Sequence, residues 1–104
     1  MTVTVAHGIM ITTAQSIPRR AVREYLGLVS GEALGELESL ERSLAMPGLE
    51  HAGVGAHALQ RAMQSMARRA SEIGATVVIG VGIDYTAIGP GALLISVTGT
   101  AARL

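Results

Sequence analysis

The three histidines are the residues of this chain with the clearest capacity to bind a metal ion. They are His7, His51 and His57, and Glu50 stands beside the second of them. His51 and His57 are six residues apart across a glycine-rich stretch, which is neither the spacing of a helical H-x-x-x-H pair nor that of a zinc finger. The chain has no cysteine, so a soft thiolate site selecting copper or mercury is excluded. We favour solvated loop histidines over a metal site, and keep His51 and His57 as the metal-ligand candidates.

Carboxylates offer a second chemistry, either general acid–base catalysis or the binding of a polar ligand. The acids concerned are Glu24, Glu32 and Asp84. Ser30 with His51 could serve as a nucleophile and its base, but catalysis requires groups within hydrogen-bonding reach, and no spacing here establishes that. Glu32 is also explained as a residue that satisfies backbone donors where a helix begins. We therefore expect a protein that is not an enzyme.

Two glycines leave one face of a predicted strand almost bare. Gly80 and Gly82 alternate with bulky apolar residues, and glycine inside a strand often marks the close approach of another backbone or a ligand. The same face carries the polar residues Asp84, Ser96, Thr98 and Thr100. It is either a small polar pocket or a closely packed subunit contact, and we favour the contact.

Composition narrows the class of protein further. The 104 residues carry no net charge, 49% are hydrophobic and 15% charged, and phenylalanine and tryptophan are absent. Disorder is excluded because it requires low hydrophobicity and high net charge. A nucleic-acid partner is not expected because basic and acidic residues balance. The apolar excess of so small a domain predicts a homo-oligomer whose interfaces bury it.

No segment of the sequence is predicted to cross a membrane. The longest apolar stretch, Ala75 to Ile83, is broken by Asp84 and is far shorter than the roughly 20 residues of a spanning helix. No positive residue precedes Arg19, so the charged start of a signal peptide is lacking. We expect a cytoplasmic protein without a membrane partner.

These residues are predicted to be positioned by a two-layer α+β domain. Alternating apolar residues predict strands, and apolar residues at spacings of three and four predict helices. The sheet is expected to be antiparallel-rich and covered on one side by one long helix, in the order β-β-α-α-β-β. The predicted elements are a strand within Val3–Thr13, a strand over Val22–Ser30, a short helix over Glu32–Leu44, a long helix over Leu59–Ile73 ended by Gly74, and strands over Thr76–Tyr85 and Ala92–Ala101.

Two glycine-containing stretches are predicted to be loops. Gly48, Gly53 and Gly55 form a connector before the long helix, and Thr86–Gly91 makes the turn of the last hairpin. The two metal-ligand candidates fall in the connector, which is why they are interpreted as loop histidines.

Three blocks of sequence follow motifs that occur together in one group of proteins. They are T-T-A-Q-S-I at Thr12–Ile17, E-Y-L-G-L-V-S-G-E-A at Glu24–Ala33, and the pair I-D-Y at Ile83–Tyr85 with S-V-T-G-T-A at Ser96–Ala101. In these blocks the chain resembles the YbjQ-like family of small bacterial and archaeal proteins, which are labelled heavy-metal-binding and are otherwise uncharacterised. The resemblance frames residues 10–104 as a YbjQ-like domain and residues 1–9 as an N-terminal extension. It implies a dodecin-like subunit that assembles into a ring, typically a pentamer, with sheets facing neighbours.

One segment departs from the family pattern. Members usually carry I-R-D-x-x-G-G-R-S-x-x-Y-E before the long helix, whereas Ala45–Gly55 is A-M-P-G-L-E-H-A-G-V-G. The arginine, serine, tyrosine and glutamate of that segment have no counterpart here. A ligand that those four residues hold in the family is therefore not expected in this chain.

The sequence thus predicts a non-enzymatic homo-oligomer, a pentameric ring by resemblance, that binds a ligand or metal at subunit interfaces. The alternative is a heavy-metal-binding or metal-sensing protein that uses His51 and His57 for a divalent metal, with copies brought together by the ring. The candidate ligand-binding residues are Ser30, Glu32, Asp84 and Tyr85.

Overall fold

The computed structural model describes residues 3–36, 51–89 and 92–104. In these ranges five strands form one mixed sheet, and one helix packs on it. The order across the sheet is β1-β2-β4-β5-β3, with β2 and β4 parallel and the other neighbours antiparallel. The predicted α+β domain with an antiparallel-rich sheet is confirmed. The elements are β1 (Thr4–Ala6), β2 (Ile9–Ile11), β3 (Glu24–Glu36), α1 (His51–Glu72), β4 (Val77–Gly89) and β5 (Ala92–Arg103).

The predicted first strand is in fact two short strands joined by a tight turn. His7 and Gly8 have φ values of 50° and 72°, and two successive positive φ values are those of a type I′ hairpin turn. Glycine adopts such a φ freely, and histidine is among the other residues that adopt it more often than most. The hairpin places β1 in the same sheet as the domain predicted for residues 10–104.

Strand β3 is longer than predicted and takes the place of a helix start. We expected a strand to end at Ser30 and a helix to begin at Glu32, but β3 runs from Glu24 to Glu36. Every residue from Gly27 to Glu36 pairs with one of β5, and this pairing overrides the weak local helical pattern. The predicted helix is therefore wrong over residues 32–36, and residues 37–44 lie outside the described ranges.

The last two strands form the predicted hairpin with a shorter turn. Strand β4 continues to Gly89 and β5 begins at Ala92. The turn predicted over Thr86–Gly91 is therefore wrong for residues 86–89, because the strand pairing continues to the hairpin end. Residues 90–91 lie outside the described ranges.

The long helix begins earlier than predicted, at His51 rather than at Leu59. Gly53 and Gly55 lie within it, since extending a nucleated helix adds one hydrogen bond per residue and offsets a glycine cost of about 1 kcal/mol. The prediction of a loop connector is therefore wrong from His51 onward. No helix in the described ranges has the length and apolar content needed to cross a membrane.

The helix ends as the sequence predicts, at a glycine in the left-handed region. Gly74 has a φ of 85° and donates a hydrogen bond of 3.0 Å to the Ser71 carbonyl. The Ala75 amide donates one of 3.0 Å to the Ala70 carbonyl. These two bonds form a Schellman motif with Gly74 at the C′ position.

The helix packs on β3 at very close range. Ala62, Met66 and Ala70 of its predicted apolar stripe are fully buried. At Gly31 a Cβ would overlap the carbonyl oxygen of Ala62 and the amide nitrogen of Met66. Glycine at this position therefore sets the distance between the helix and the sheet.

The opposite side of the sheet is covered only in part. Ile17, in the loop after β2, packs there against Val77, Ile79 and Ala102. Within the described ranges no further element lies over the rest of this side, which we call the open face. Its residues alternate with the helix-facing ones along β3, β4 and β5, and they are Leu28, Ser30, Glu32, Leu34, Gly82, Asp84, Leu94, Ser96 and Thr98.

Candidate functional site

Three polar residues form a row across the open face. Glu32 on β3 pairs with Ser96 on β5, and Ser96 pairs with Asp84 on β4. Directly paired residues project from the same face of a sheet. Since neighbouring strands lie about 4.8 Å apart, the backbones of Glu32 and Asp84 are about 10 Å apart with Ser96 between them. We call Glu32, Ser96 and Asp84 the polar row.

A second row adds hydroxyl groups beside the polar row. Ser30 pairs with Thr98, and Thr98 pairs with Gly82. A Cβ at Gly82 would lie 3.9 Å from Thr98 Oγ1, so the missing side chain leaves open space beside this hydroxyl. Carboxylates accept hydrogen bonds, and hydroxyls both donate and accept them. The two rows therefore suit a ligand with amine or hydroxyl groups, or a hydrated cation.

The structure brings together three of the four predicted ligand-binding residues. Ser30, Glu32 and Asp84 lie on the open face in adjacent rows. Tyr85 follows Asp84 in the strand and therefore projects from the helix side of the sheet, where it is 57% exposed. Tyr85 and Asp84 consequently cannot share one ligand within a single subunit.

Gly80 allows a close backbone approach, but the approaching chain is the protein's own. Its φ is 61°, and its amide donates a hydrogen bond of 2.8 Å to the carbonyl of Ala14 in the loop after β2. A Cβ at Gly80 would lie 3.1 Å from Gln15 Oε1. The sequence predicted that Gly80 and Gly82 leave this face uncovered. Of the two, Gly82 lies beside the two polar rows.

The side chains that the structure describes, which include His7 but not His51 or His57, form no metal centre. No group of three or more histidine, cysteine, aspartate or glutamate side chains among them could hold a metal ion. His7 lies in the turn between β1 and β2. His51 and His57 are helix positions, not loop positions as predicted, and six residues separate helix positions by about 9 Å along the axis and about 120° around it. Their side chains lie outside the described part of the structure.

Two helix arginines that reach the edge strand were missed by the sequence analysis. Arg61 Nη2 donates a hydrogen bond of 2.7 Å to the carbonyl oxygen of Leu34, and Arg69 Nη1 donates one of 2.8 Å to that of Ser30. The available signal was their spacing of eight residues, which places both on one side of a helix. Without the extension of β3, no strand edge was predicted beside them.

A family model and two curated proteins are similar to this chain in sequence. The YbjQ family model, described as "Putative heavy-metal-binding", matches residues 50–104. A UPF0145 protein of Anoxybacillus flavithermus is 33% identical over 91% of this chain and 97% of its own length. A UPF0145 protein of Clostridium botulinum is 35% identical over 88% and 95%.

A solved structure shares the fold. It is that of a protein of unknown function of the DUF74 family from Pediococcus pentosaceus. The TM-score is 0.63 over 94% of this chain and 99% of the other, with 14% sequence identity.

Proposed function

The chain belongs to the YbjQ family, whose relatives above bear the name UPF0145, and on this premise we propose a non-enzymatic homo-oligomer assembled through the open face of the sheet. One observation carries the proposal: large apolar side chains project from the edge strand into solvent. Leu28 is 85% exposed and Leu34 57% exposed. Leu34 is directly paired with Leu94 of β5 on the same face, and clustered apolar residues that stay exposed mark interaction surfaces. The occupant we propose is a second copy of this chain.

A second apolar patch lies on the other side of the sheet. Ile83 and Tyr85 project from the helix side of β4 and are exposed. A contact between two different surfaces of identical subunits generates a ring when its rotation closes. We infer that Leu28 and Leu34 of one subunit pack against Ile83 and Tyr85 of the next. The ring size of five is an inference from the family resemblance.

The edge of β3 is not offered to a neighbouring strand. Arg61 and Arg69 already donate hydrogen bonds to the Leu34 and Ser30 carbonyls of this strand. Charged groups at a strand edge discourage the addition of another strand. The exposed leucines of the same strand therefore favour a neighbour that docks on the face rather than on the edge.

The polar row lies between the exposed leucines and would be enclosed by such a neighbour. Glu32 follows Leu28 and precedes Leu34 on the same face of β3. Exclusion of water strengthens hydrogen bonds to Glu32 and Asp84. We therefore propose that a small polar ligand binds at the subunit interface. The cytoplasmic location expected from the sequence is part of this proposal.

The double variant Leu28→Asp, Leu34→Asp tests the proposed contact. Two charges on the open face should disrupt assembly, and light scattering should report a mass near that of one chain. Val5→Asp is the matched control, because Val5 is 68% exposed on β1 at the opposite edge of the sheet. An unchanged mass in the double variant would refute the contact.

A second candidate function is heavy-metal binding, favoured by the description of the matching family model. The match spans residues 50–104 and so includes His51 and His57. Copies in an assembly would supply further ligands. Elemental analysis of untagged protein and calorimetric titration with Zn²⁺, Ni²⁺ and Cu²⁺ test it, with His51→Ala, His57→Ala as the comparison. Retained metal that is lost in this variant supports it, and no metal with no heat of binding refutes it.

A further inference from the structure

A basic groove lies between the first hairpin and the helix. Its volume is about 260 Å³, and it is lined by His7, Arg61, Gln64, Ser65 and Arg68. Two of these side chains are cationic, one is a histidine, two are neutral hydrogen-bond donors, and none is acidic. The helix residues recur at spacings of three, four and seven, so they form one stripe on its surface.

Arg68 differs from the other arginines of this helix. Arg61 and Arg69 each donate a hydrogen bond to a carbonyl of β3. Within the described ranges Arg68 has no hydrogen bond or ion pair, although Glu72 lies one turn further along the helix. Its guanidinium therefore keeps all of its donors for a ligand.

The turn between β1 and β2 fixes the histidine at this groove. His7 has a φ of 50°, a left-handed conformation that glycine, asparagine, aspartate and histidine adopt more often than other residues. The same residue also lines a larger groove of about 400 Å³ with Leu59, Gln60 and Met63. The turn thus places His7 beside the helix, where it lines both grooves.

We propose that this groove binds a phosphate group, free or carried by a small molecule. A guanidinium matches the geometry of phosphate oxygens through paired N–H donors, and Arg68 has both donors available. Arg61 uses one of its donors on Leu34 and has the others to offer. Glu32 shares a separate groove with Arg61 and does not line this one. The adjoining larger groove gives room for the group that would carry the phosphate. Every residue that lines this groove belongs to the first hairpin or to the helix, so one subunit supplies the whole site.

Amide-resolved NMR titration of the full chain with inorganic phosphate, at ionic strength held constant with KCl, tests the proposal. Shifts should saturate at millimolar phosphate or below and should centre on residues 7–8 and 61–68. Arg68→Gln should raise the Kd at least fivefold, and Arg68→Lys, which keeps the charge but loses the paired donors, at least twofold. Arg20→Gln is the matched control, an exposed arginine outside the groove whose loss should leave the Kd unchanged.

A parallel titration with phenyl phosphate distinguishes the two sources of the phosphate group. Tighter binding of the monoester than of inorganic phosphate assigns the site to a phosphorylated small molecule, and equal or weaker binding assigns it to the free anion. Shifts that fail to saturate with both probes would overturn the proposal. Equal losses in Arg68→Gln and Arg20→Gln would also overturn it, because they would indicate unspecific attraction by surface charge.

Discussion

Arg69 Nη1 lies 2.8 Å from the carbonyl oxygen of Ser30 and donates a hydrogen bond to it, joining the helix to the edge strand of the sheet. Arg61 repeats the contact two turns earlier, 2.7 Å from the carbonyl oxygen of Leu34. Both bonds occupy backbone acceptors that an incoming strand would need. Two acceptors of the 13-residue edge strand are thereby occupied, which disfavours strand addition, while its open face remains available to a neighbour.

Removing both arginines should expose the edge of β3. In Arg61→Met, Arg69→Met we expect a loss of about 1 kcal/mol of unfolding free energy for each bond, together with faster formation of thioflavin-positive aggregates. Arg68→Met is the control, because that arginine lies on the same helix and bonds no carbonyl of β3 within the described ranges. Equal aggregation rates in the two proteins would show that the arginines do not protect the edge.

Glycine at position 31 should be indispensable for packing. Gly31→Ala would place its Cβ against the backbone of Ala62 and Met66, so we expect a loss of at least about 2 kcal/mol in urea denaturation. Gly35→Ala provides the control on the same face of β3. Its Cβ would meet Ala58 Cβ at 3.8 Å, an ordinary contact, so little loss is expected. Similar stabilities of the two variants would contradict the close helix contact.

Arg103 should stabilise the sheet through a backbone acceptor more than through its ion pair. Its Nε donates to the Gly74 carbonyl at 2.8 Å, and its Nη1 lies 2.8 Å from Glu24 Oε1. The ion pair is about half exposed on both sides, so Glu24→Gln should cost well under about 1 kcal/mol. Arg103→Ala also loses the hydrogen bond to the Gly74 carbonyl. Its melting temperature should therefore fall further than that of Glu24→Gln. A larger effect of Glu24→Gln would reverse this assignment.

Asp84 should matter for a bound ligand and not for assembly. Asp84→Asn keeps the shape of the side chain but removes its charge from the polar row. Native mass spectrometry should show an unchanged oligomer and the loss of any small molecule that copurifies with the wild-type protein. Glu36→Gln is the control, because it removes an acid of β3 that lies outside the polar row. Retention of the copurified ligand in Asp84→Asn would exclude the polar row as its site.

The sequence predicted those parts of the fold that depend on local periodicity. The apolar stripe through Ala62, Met66 and Ala70 and the terminal Gly74 are local signals, and the structure confirms both. Alternation likewise placed Asp84, Ser96 and Thr98 on one face. The same alternation places Tyr85 on the side of the sheet opposite to Asp84, as the strand pairing shows.

The remaining features depend on contacts between distant segments. Glu32 joins the polar row only because β3 pairs with β5 up to Glu36, and no local pattern reveals that register. Gly31 is required by a helix that follows it by some 30 residues in the chain. The type I′ turn at His7 and Gly8 joins two strands of only three residues each, which are too short for alternation to mark them as separate strands.

The mass of the wild-type protein in solution tests the central claim most directly. Light scattering behind size exclusion, at micromolar and tenfold lower concentrations, should give one species of about five times the 10.7 kDa subunit mass. A single species of 10.7 kDa at both concentrations would contradict assembly through the open face.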